Sequence, residues 1–408
     1  MERVGVVKHL AGMVLAVLMV SGAWADGFRN PPDTAAALGK SGKHIVWVDD
    51  ASAVFYNPAN LVDVPSLQVQ ASALLGYSHA DYTGPFGRTE TERPWGLLPA
   101  FSLAWPLAET GLAFGFGSHV PYGRQTHWDS DGPFPIFSRM SVMDFSPQVA
   151  WRVSDSVSIG AGLDIYYGRL QFRQYVPFAL PPVPPGKASA DADGYAVGAN
   201  AGITWRITER QRLALTCRSP FDMKFKGDMN AVGFPSPPFP PTVPESDLDT
   251  TFQFPTILAL GYGIQLTETI RVEANVEWLQ YSRNKTMKIN AGANDPLLGA
   301  LNLSNSPQNW NDTWTFGLGG EWRFAQEWTF RTGYLYLQSP VPDSTFTPLI
   351  LDVDQSVVSV GLGYEHERHG IDLAYALGIF EKRRAGVTKQ DHFDFDGHLV
   401  ALSYTYSF

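Results

Sequence analysis

The residues best suited to chemistry are scattered along this chain, and the nearest match to a catalytic motif is incomplete. Gly39-Lys40-Ser41 resembles the end of a phosphate-binding loop, but the first glycine of that motif is replaced by Thr34, and no strand is predicted before it. No Gly-x-Ser-x-Gly sequence, the usual setting of a nucleophilic serine in esterases, is present. The sequence therefore predicts no catalytic residue, no cofactor and no enzyme activity.

A metal site is the next chemistry to consider. His366 and His369 stand beside Glu365 and Glu367, and these side chains could together hold a metal ion. Polar residues are also what a tight turn between two strands requires, and that alone accounts for all four positions. We therefore predict no metal site.

The elements that would position any site are strands, because apolar and polar residues alternate with period 2 along most of the chain. Fourteen segments show this alternation, and an even number suits a bacterial barrel whose first and last strands pair. The predicted fold is all-β, a 14-stranded antiparallel transmembrane β-barrel plugged by an N-terminal hatch with short helices. The segments lie near residues 67–77, 100–105, 110–119, 140–153, 157–173, 193–207, 211–225, 250–265, 269–282, 312–324, 327–338, 355–366, 369–384 and 397–408.

The two faces of the predicted strands differ in polarity. Between Ile270 and Trp278, isoleucine, valine, alanine and tryptophan alternate with Arg271, Glu273, Asn275 and Glu277. The last strand places valine, leucine, tyrosine and Phe408 on one face, and ends the chain on an aromatic residue. Aromatic side chains at the ends of an apolar face are typical of the membrane interface. We expect Phe408 to be recognised by the machinery that assembles such barrels.

Short and long connections alternate strictly between these strands. Tight turns follow every second strand, whereas segments such as 78–99, 226–249 and 283–311 are long. In outer-membrane barrels the short turns face the periplasm and the long loops face outside. A soluble β-sandwich would show the same alternating faces but does not explain this loop pattern.

The N-terminus and the composition agree with export to the outer membrane. Arg3 and Lys8 precede an apolar run from Leu10 to Val20, and Ala23-Trp24-Ala25 fits a signal-peptidase site. We predict a signal peptide at 1–25, a hatch at 26–65 and a transmembrane barrel at 66–408. A net charge of -10 argues against a nucleic-acid partner, and the single cysteine, Cys217, cannot form an intramolecular disulfide.

Several short motifs resemble one known family. Gly27-Phe28, Asp49-Asp50-Ala51-Ser52 and Asn57-Pro58-Ala59 look like the N-terminal hatch of the FadL/TodX family of outer-membrane transporters for long-chain fatty acids and aromatic hydrocarbons. Phe225-Lys226-Gly227 resembles the end of that family's seventh strand, and Trp328-Thr329-Phe330-Arg331-Thr332-Gly333, followed by Ser339-Pro340, is the most specific match. The resemblance extends over almost the whole mature chain.

The resemblance implies passive uptake of a hydrophobic molecule, which binds to extracellular loops, moves into the barrel and leaves through a gap at a kinked third strand. Glycine permits such a kink, so Gly115 and Gly117 are the candidate lateral gate, although these glycines could simply relieve crowding. The candidate ligand-binding residues in the hatch and third strand are Phe28, Phe55, Asn57, Pro58 and Phe116.

Two long loops are rich in proline and phenylalanine, at 176–185 and 233–241. By position they are the third and fourth extracellular loops, which form the family's first binding surface. Proline keeps them extended, so Phe178, Leu180, Phe234 and Phe239 are candidate contacts for an apolar ligand. The helices that family members carry in these loops cannot form across such proline runs, which makes the shape of the entry groove an open question.

The resemblance leaves the substrate open. Long-chain fatty acids are the first expectation, with monoaromatic hydrocarbons such as toluene or xylene as the alternative. A carboxylate could meet Arg206, Arg271 or Arg331, but these arginines could equally pair with Glu273, Glu277 or Asp164. An outer-membrane enzyme or adhesin is the competing class, and an aqueous porin is disfavoured by the apolar hatch. The expected partners are outer-membrane lipid and lipopolysaccharide, and the expected state is a monomer.

Overall fold

A computed structural model describes residues 26–40, 42, 44–85, 87–129, 136–176, 186–232, 242–291, 305–385 and 390–408. Within those residues, no helix has both the length and the apolar character needed to cross a membrane. Twenty strands are present: β1 Gln68–Gly84, β2 Gly87–Glu90, β3 Trp95–Leu107, β4 Leu112–His127, β5 Ile136–Arg152, β6 Val157–Val176, β7 Gly186–Thr208, β8 Gln211–Arg218, β9 Phe221–Val232, β10 Thr242–Phe254, β11 Ile257–Gln265, β12 Ile270–Leu279, β13 Thr286–Ala291, β14 Asn305–Pro307, β15 Thr313–Arg323, β16 Trp328–Leu337, β17 Gln355–His366, β18 His369–Phe380, β19 Arg383–Ala385 and β20 Asp391–Ser407.

These strands form one closed antiparallel barrel. The hydrogen-bonded ring runs β1, β3, β4, β5, β6, β7, β8, β11, β12, β15, β16, β17, β18 and β20, and β20 returns to β1 with Gln68 opposite Ser407. The remaining six strands lengthen the wall at one end of the barrel. The prediction of fourteen wall strands is confirmed.

The predicted faces are also confirmed. In β20, Val400 and Leu402 are exposed on the outer surface, whereas Leu399, Ala401 and Ser403 are buried inside. The other strands alternate in the same way, so Glu273, Asn275 and Glu277 of β12 all face the interior. Outward apolar and inward polar positions are what a membrane on one side and a filled lumen on the other require.

Several hairpins are longer than the sequence indicates. β6 and β7 stay paired to Val176 and Gly186, and β9 pairs with β10 to Val232 and Thr242. Much of the predicted loop at 226–249 is therefore strand. The polar residues of these outer segments hide the alternation, although Met229 and Leu248 are buried in an apolar cluster there.

The hatch (residues 26–65) lies inside the barrel and contains α1 Ala35–Gly39, α2 Ala53–Tyr56 and a 3₁₀ helix at Pro58–Asp63. Thr34 caps α1, because its hydroxyl accepts a hydrogen bond from the Ala37 N–H, and Asn57 caps the 3₁₀ helix through Ala59. A second 3₁₀ turn, Tyr281–Arg283, follows β12. The helices are short, so they depend on packing against the wall, and Ala35, Leu38, Val54 and Leu61 are all buried there.

Candidate functional site

The wall of the barrel is interrupted between β3 and β4. These strands pair only from Leu107 opposite Leu112 to Phe101 opposite Ser118. From Trp95 to Ala100, β3 has partners on β1 but, among the described residues, none on β4. Farther out the two flanks meet again, where the Glu92 N–H donates to the His127 carbonyl at 2.7 Å. We call the unpaired stretch the β3–β4 gap.

A β-bulge in β4 lies beside this gap. His119 is opposite Asp144 and Tyr122 is opposite Val142, so β4 has one residue more than β5 in this interval. The extra length includes Pro121, which has no N–H to donate and is found in strands chiefly at edges and bulges. The bulge bends β4 away from β3, because a bulge tilts its strand and breaks the ladder.

The kink is therefore at the bulge and not at Gly115 and Gly117, where the sequence predicts it. Both glycines lie in continuous register with β3 and β5. A Cβ at Gly115 would lie 2.6 Å from Val54 Cγ1, and one at Gly117 would lie 2.8 Å from Phe55 Cε1. The absence of a side chain at these positions lets the hatch touch the wall, which is a packing requirement.

The start of the hatch fills the inner side of the gap. The Gly123 N–H donates to the Phe28 carbonyl at 2.8 Å, and the Asn30 N–H donates to the Pro121 carbonyl at 2.9 Å. The Asn30 side chain also donates to the Val120 carbonyl. Residues 28–30 thus occupy the place that β3 leaves free beside β4.

Phe28, a residue of the hatch, packs in a cluster of aromatic rings inside the barrel, which we call the aromatic chamber. Its ring centroid is 4.7 Å from that of Trp310 and 5.6 Å from that of Phe252. Tyr122, on the far side of the bulge, packs on Phe254 in the same cluster. Such rings interact favourably with an apolar or aromatic guest. In this structure Phe28 itself fills the space.

Two small cavities, each of about 60 Å³, adjoin the hatch, and one of them is lined by the bulge residues His119, Pro121 and Tyr122. Arg29, Phe55, Tyr56 and Arg218 line both of them. Pockets for organic ligands usually measure about 300–1,000 Å³. Neither of these two cavities is therefore large enough for such a ligand.

Charged side chains surround these cavities in pairs. Arg29 Nη1 lies 2.6 Å from Glu277 Oε2, joining the hatch to β12. Arg218 Nη1 lies 3.1 Å from Asp144 Oδ2, opposite the bulge. Because both arginines already have carboxylate partners, an entering carboxylate would have to exchange with one of them.

The hatch is also fixed at the end with the short turns. Asp63 receives hydrogen bonds from Arg152 at 2.8 Å, from Arg212 at 3.1 Å and from Arg206. Asn57 donates to the Ile45 carbonyl and to the Thr204 hydroxyl, both at 2.8 Å. These contacts hold the hatch to β5, β7 and β8.

The arginines that the sequence singles out for a carboxylate have structural partners. Arg206 binds Asp63, and Arg271 binds Asp49 of the hatch at 2.9 Å. Arg331 binds Asp372. None of the three pairs with Glu273, Glu277 or Asp164, the partners named from the sequence, in the described part of the chain.

The predicted ligand-binding residues divide into five groups. Phe28 lies in the aromatic chamber, and Phe55 and Pro58 line a cavity. Asn57 is fully buried as an anchor of the hatch. Phe116 is 38% exposed on the outer face of β4, so it does not face the lumen, and its role in ligand binding stays a prediction. The loop candidates lie outside the described residues: Phe178, Leu180, Phe234 and Phe239.

Sequence reasoning missed the residues that close the gap. Arg29, Asn30, His119 and Tyr122 meet there, although they are far apart in the chain. One signal was available, because a proline within an alternating strand predicts a bulge, and Pro121 follows directly after the alternation of β4.

Comparison with known proteins gives a consistent result. Residues 16–408 match the family model described as outer membrane protein transport protein (OMPP1/FadL/TodX). The long-chain fatty acid transport protein of Salmonella typhi is 24% identical over 407 residues, which cover 90% of each chain. A Pseudomonas aeruginosa FadL homologue superimposes with a TM-score of 0.81 at 20% identity, covering 94% of this chain and all of the other. The P. putida toluene transporter TodX gives 0.75 at 18% identity, covering 92% and 99%.

Proposed function

Since the chain belongs to the OMPP1/FadL/TodX family of outer membrane transport proteins, we propose that it carries long-chain fatty acids across the bacterial outer membrane and releases them sideways through the β3–β4 gap. The observation that carries this proposal is the unpaired stretch of wall beside the bulge at His119–Tyr122. An opening in the wall gives an apolar solute a path from the lumen into hydrocarbon, without a step through water.

The route begins on the extracellular loops and continues into the aromatic chamber. Transfer from water favours each CH₂ group by about 0.8 kcal/mol, so an acyl chain needs few polar contacts to bind there. Its carboxylate would meet Arg29 and Arg218, which line both cavities. Passive transfer of this kind requires no energy source, and we assign the protein no enzymatic step.

Passage requires the first residues of the hatch to move. The two cavities are far smaller than an acyl chain, and Phe28 occupies the chamber. Residues 28–30 are held to β4 by three hydrogen bonds, so displacing them costs much less than removing the whole hatch. We propose that ligand in the chamber displaces Phe28 and thereby opens the gap from inside.

Monoaromatic hydrocarbons are the second candidate substrate. The specific observation in their favour is the ring-lined chamber, where Phe28, Trp310 and Tyr122 offer faces and edges to a planar guest. Such a solute would need no partner for a carboxylate, and it would leave Arg29 and Arg218 paired as they are.

The remaining partners are also proposals. Phe408 directly follows β20, is 60% exposed and donates its N–H to the Leu67 carbonyl, which leaves the terminal ring available to the assembly machinery. The apolar outer surface supports contact with outer-membrane lipid and lipopolysaccharide. One barrel encloses the gap and both cavities, which supports a monomer as the working unit.

Uptake by intact cells tests the proposal. Cells lacking their own transporter would express the wild-type chain, a Pro121 deletion or Phe116→Leu, and receive radiolabelled oleate or toluene. Deletion of Pro121 removes the extra residue, so β4 can pair with β3 and close the wall. We expect wild-type uptake of oleate, loss of uptake in the deletion, and no change in Phe116→Leu, whose side chain faces outward.

Heat-modified electrophoretic mobility would establish that each barrel is folded. Uptake of toluene alone would select the second candidate. Equal uptake by the wild type and the folded Pro121 deletion would reject the lateral route, and uptake of neither compound by the wild type would reject both substrates.

A further inference from the structure

A third pocket, of about 320 Å³, lies on the outside of the barrel wall. Its cationic side chains come from the outer ends of five successive segments, and we call it the basic pocket. They are Arg93, His127, Arg139, Arg173 and Lys187. Phe137 forms its apolar floor: the guanidinium of Arg173 lies 5.4 Å from the ring centroid, and the His127 ring packs against it edge to face.

The strands place this pocket on the lipid side of the wall. On β4, Arg124 and Thr126 point inward, because they donate to the carbonyls of Gly27 and Leu349. Alternation therefore places Gln125 and His127 on the outer face. Arg139 lies beside them, and its Nε donates to Gln125 Oε1 at 2.8 Å.

The height of the pocket follows from β6, whose outward residues change character along the strand. Leu163 and Ile165 are 55% and 45% exposed and apolar. Tyr167 comes next and packs against Tyr195 of β7 at 5.1 Å. Arg169 and Arg173 follow toward the extracellular end. Aromatic girdles mark the membrane interface, so the pocket lies at the level of the outer-leaflet headgroups.

The guanidiniums of the pocket have few carboxylate partners among the described residues. Arg169, which lies on β6 just below the pocket, forms an ion pair with Asp191 at 2.9 Å. Arg93, Arg139 and Arg173 form no ion pair with a carboxylate in the described part of the chain. Two carboxylates lie near the pocket: Glu92 is 3.7 Å from His127 Nδ1, and Asp191 accepts a hydrogen bond from Gln171, which lines the pocket. Three uncompensated guanidiniums in a protein of net charge -10 indicate that an external anion belongs there.

We propose that the basic pocket binds the phosphate groups of the outer-leaflet glycolipid, lipopolysaccharide, and holds one such lipid over the outer side of the β3–β4 gap. Guanidiniums bind phosphate oxygens in bidentate fashion, and clusters of arginine and lysine at a membrane surface recognise phosphorylated headgroups. Arg93 precedes β3 and His127 ends β4, so the pocket joins the two flanks of the gap directly above it. This inference deepens the lipid partnership proposed above and rests on it.

Binding of a defined lipid to the purified full-length protein in detergent tests the proposal. Native mass spectrometry would compare the wild type, the double variant Arg139→Gln/Arg173→Gln and the control Lys382→Gln. Lys382 is an exposed cation beyond β18 that pairs with Asp394. The probes are bis-phosphorylated lipid A, its dephosphorylated form and inorganic phosphate. We expect lipid A affinity to fall about 30-fold in the double variant and to be unchanged in the control.

Three results would overturn the proposal. One is equal binding of lipid A to the wild type and to a double variant whose heat-modified mobility shows a folded barrel. Another is equal binding of the dephosphorylated lipid, since the acyl chains alone would then account for it. A third is full competition by millimolar inorganic phosphate, which would identify a site for a free anion. Failure of oleate uptake with intact lipid A binding would count against the transport proposal only.

Discussion

His119 Nδ1 lies 2.8 Å from Asp33 Oδ1 of the hatch, while Nε2 of the same ring lies 3.3 Å from Asp144 Oδ2 on β5. A carboxylate oxygen only accepts hydrogen bonds, so both ring nitrogens must carry a proton. His119 is the last residue of β4 before the bulge. The hatch is therefore tied to the wall at the point where β4 leaves β3.

Replacing Asp33 with alanine should loosen the first part of the hatch. A hydrogen bond to a charged group contributes about 1.5–3 kcal/mol, so we expect amide exchange at Asn30 to accelerate at least about tenfold. Hydrogen–deuterium exchange with mass spectrometry would measure this. Asp155→Ala, at an exposed turn, is the control. Unchanged exchange in the Asp33 variant would show that His119 does not hold the hatch.

Replacing Asp63 with alanine should release the other end of the hatch. Arg152, Arg206 and Arg212 all converge on this carboxylate and would then repel one another. We expect the loss of Asp63 to lower the free energy of unfolding by about 2 kcal/mol. Thermal unfolding in detergent measures the change, with Asp191→Ala as control, because that carboxylate belongs to an exposed pair worth about 1 kcal/mol at most. Equal effects of the two variants would contradict the prediction.

Stability should depend on pH through Asp352, which lies in the connection between β16 and β17. Burial raises the pKa of its carboxyl to about 7, although the guanidinium of Arg124 opposes this shift. In the unfolded chain the same carboxyl has a pKa of about 3.9. Between about pH 4 and 7 the folded protein therefore binds more protons than the unfolded chain, and its stability falls as pH rises through that window.

Comparison with Asp352→Asn isolates this effect. The amide cannot ionise, so the melting-temperature advantage of the wild type over the variant should be largest at pH ~4, shrink as the pH rises to ~7 and stay constant above that. Asp343→Asn, which changes a carboxylate 61% exposed near the same connection, should show no such trend. A constant difference between wild type and Asp352→Asn at every pH would refute the assignment.

Gly115 should not tolerate a side chain. The added Cβ of Gly115→Ala would lie 2.6 Å from Val54 Cγ1 and 2.8 Å from Leu61 Cδ1, so two helical turns of the hatch would have to shift. We expect a loss of about 1–3 kcal/mol, measured by thermal unfolding. Gly320→Ala in β15 is the matched control, because its nearest contact is 3.4 Å. A neutral Gly115→Ala would mean that the hatch packs more loosely than described.

The sequence predicts the barrel well because each strand faces the membrane on one side and the lumen on the other. These two environments impose a simple alternation of apolar and polar residues. Glu273, Asn275 and Glu277 identify the inner face of β12 since each neighbour along the strand is apolar. The N-cap of α1 can also be predicted from neighbouring residues, because Thr34 directly precedes the three alanines with which the helix begins. Signals of this kind need no knowledge of distant residues.

The gap could not be predicted in the same way. The alternation ends at His119, so the sequence assigns Pro121 to a loop, whereas the structure pairs the following residues with β5 as far as His127. The side chain of His119 contacts that of Asp33, which is 86 residues away in the sequence. Gly115 and Gly117 suggested flexibility by their type, but their role is set by Val54 and Phe55, which sequence alone does not place nearby.

The contacts of the hatch also determine when it can fold. The Ala35 N–H donates to the Ser403 hydroxyl across 368 residues, Gly27 binds Asp352 across 325, and Arg29 binds Glu277 across 248. The segment that emerges near the start of synthesis thus finds its partners only when the last strand, β20, is present. Contacts of such high sequence separation form slowly. The hatch therefore reaches its final position late, after the whole barrel sequence has been made.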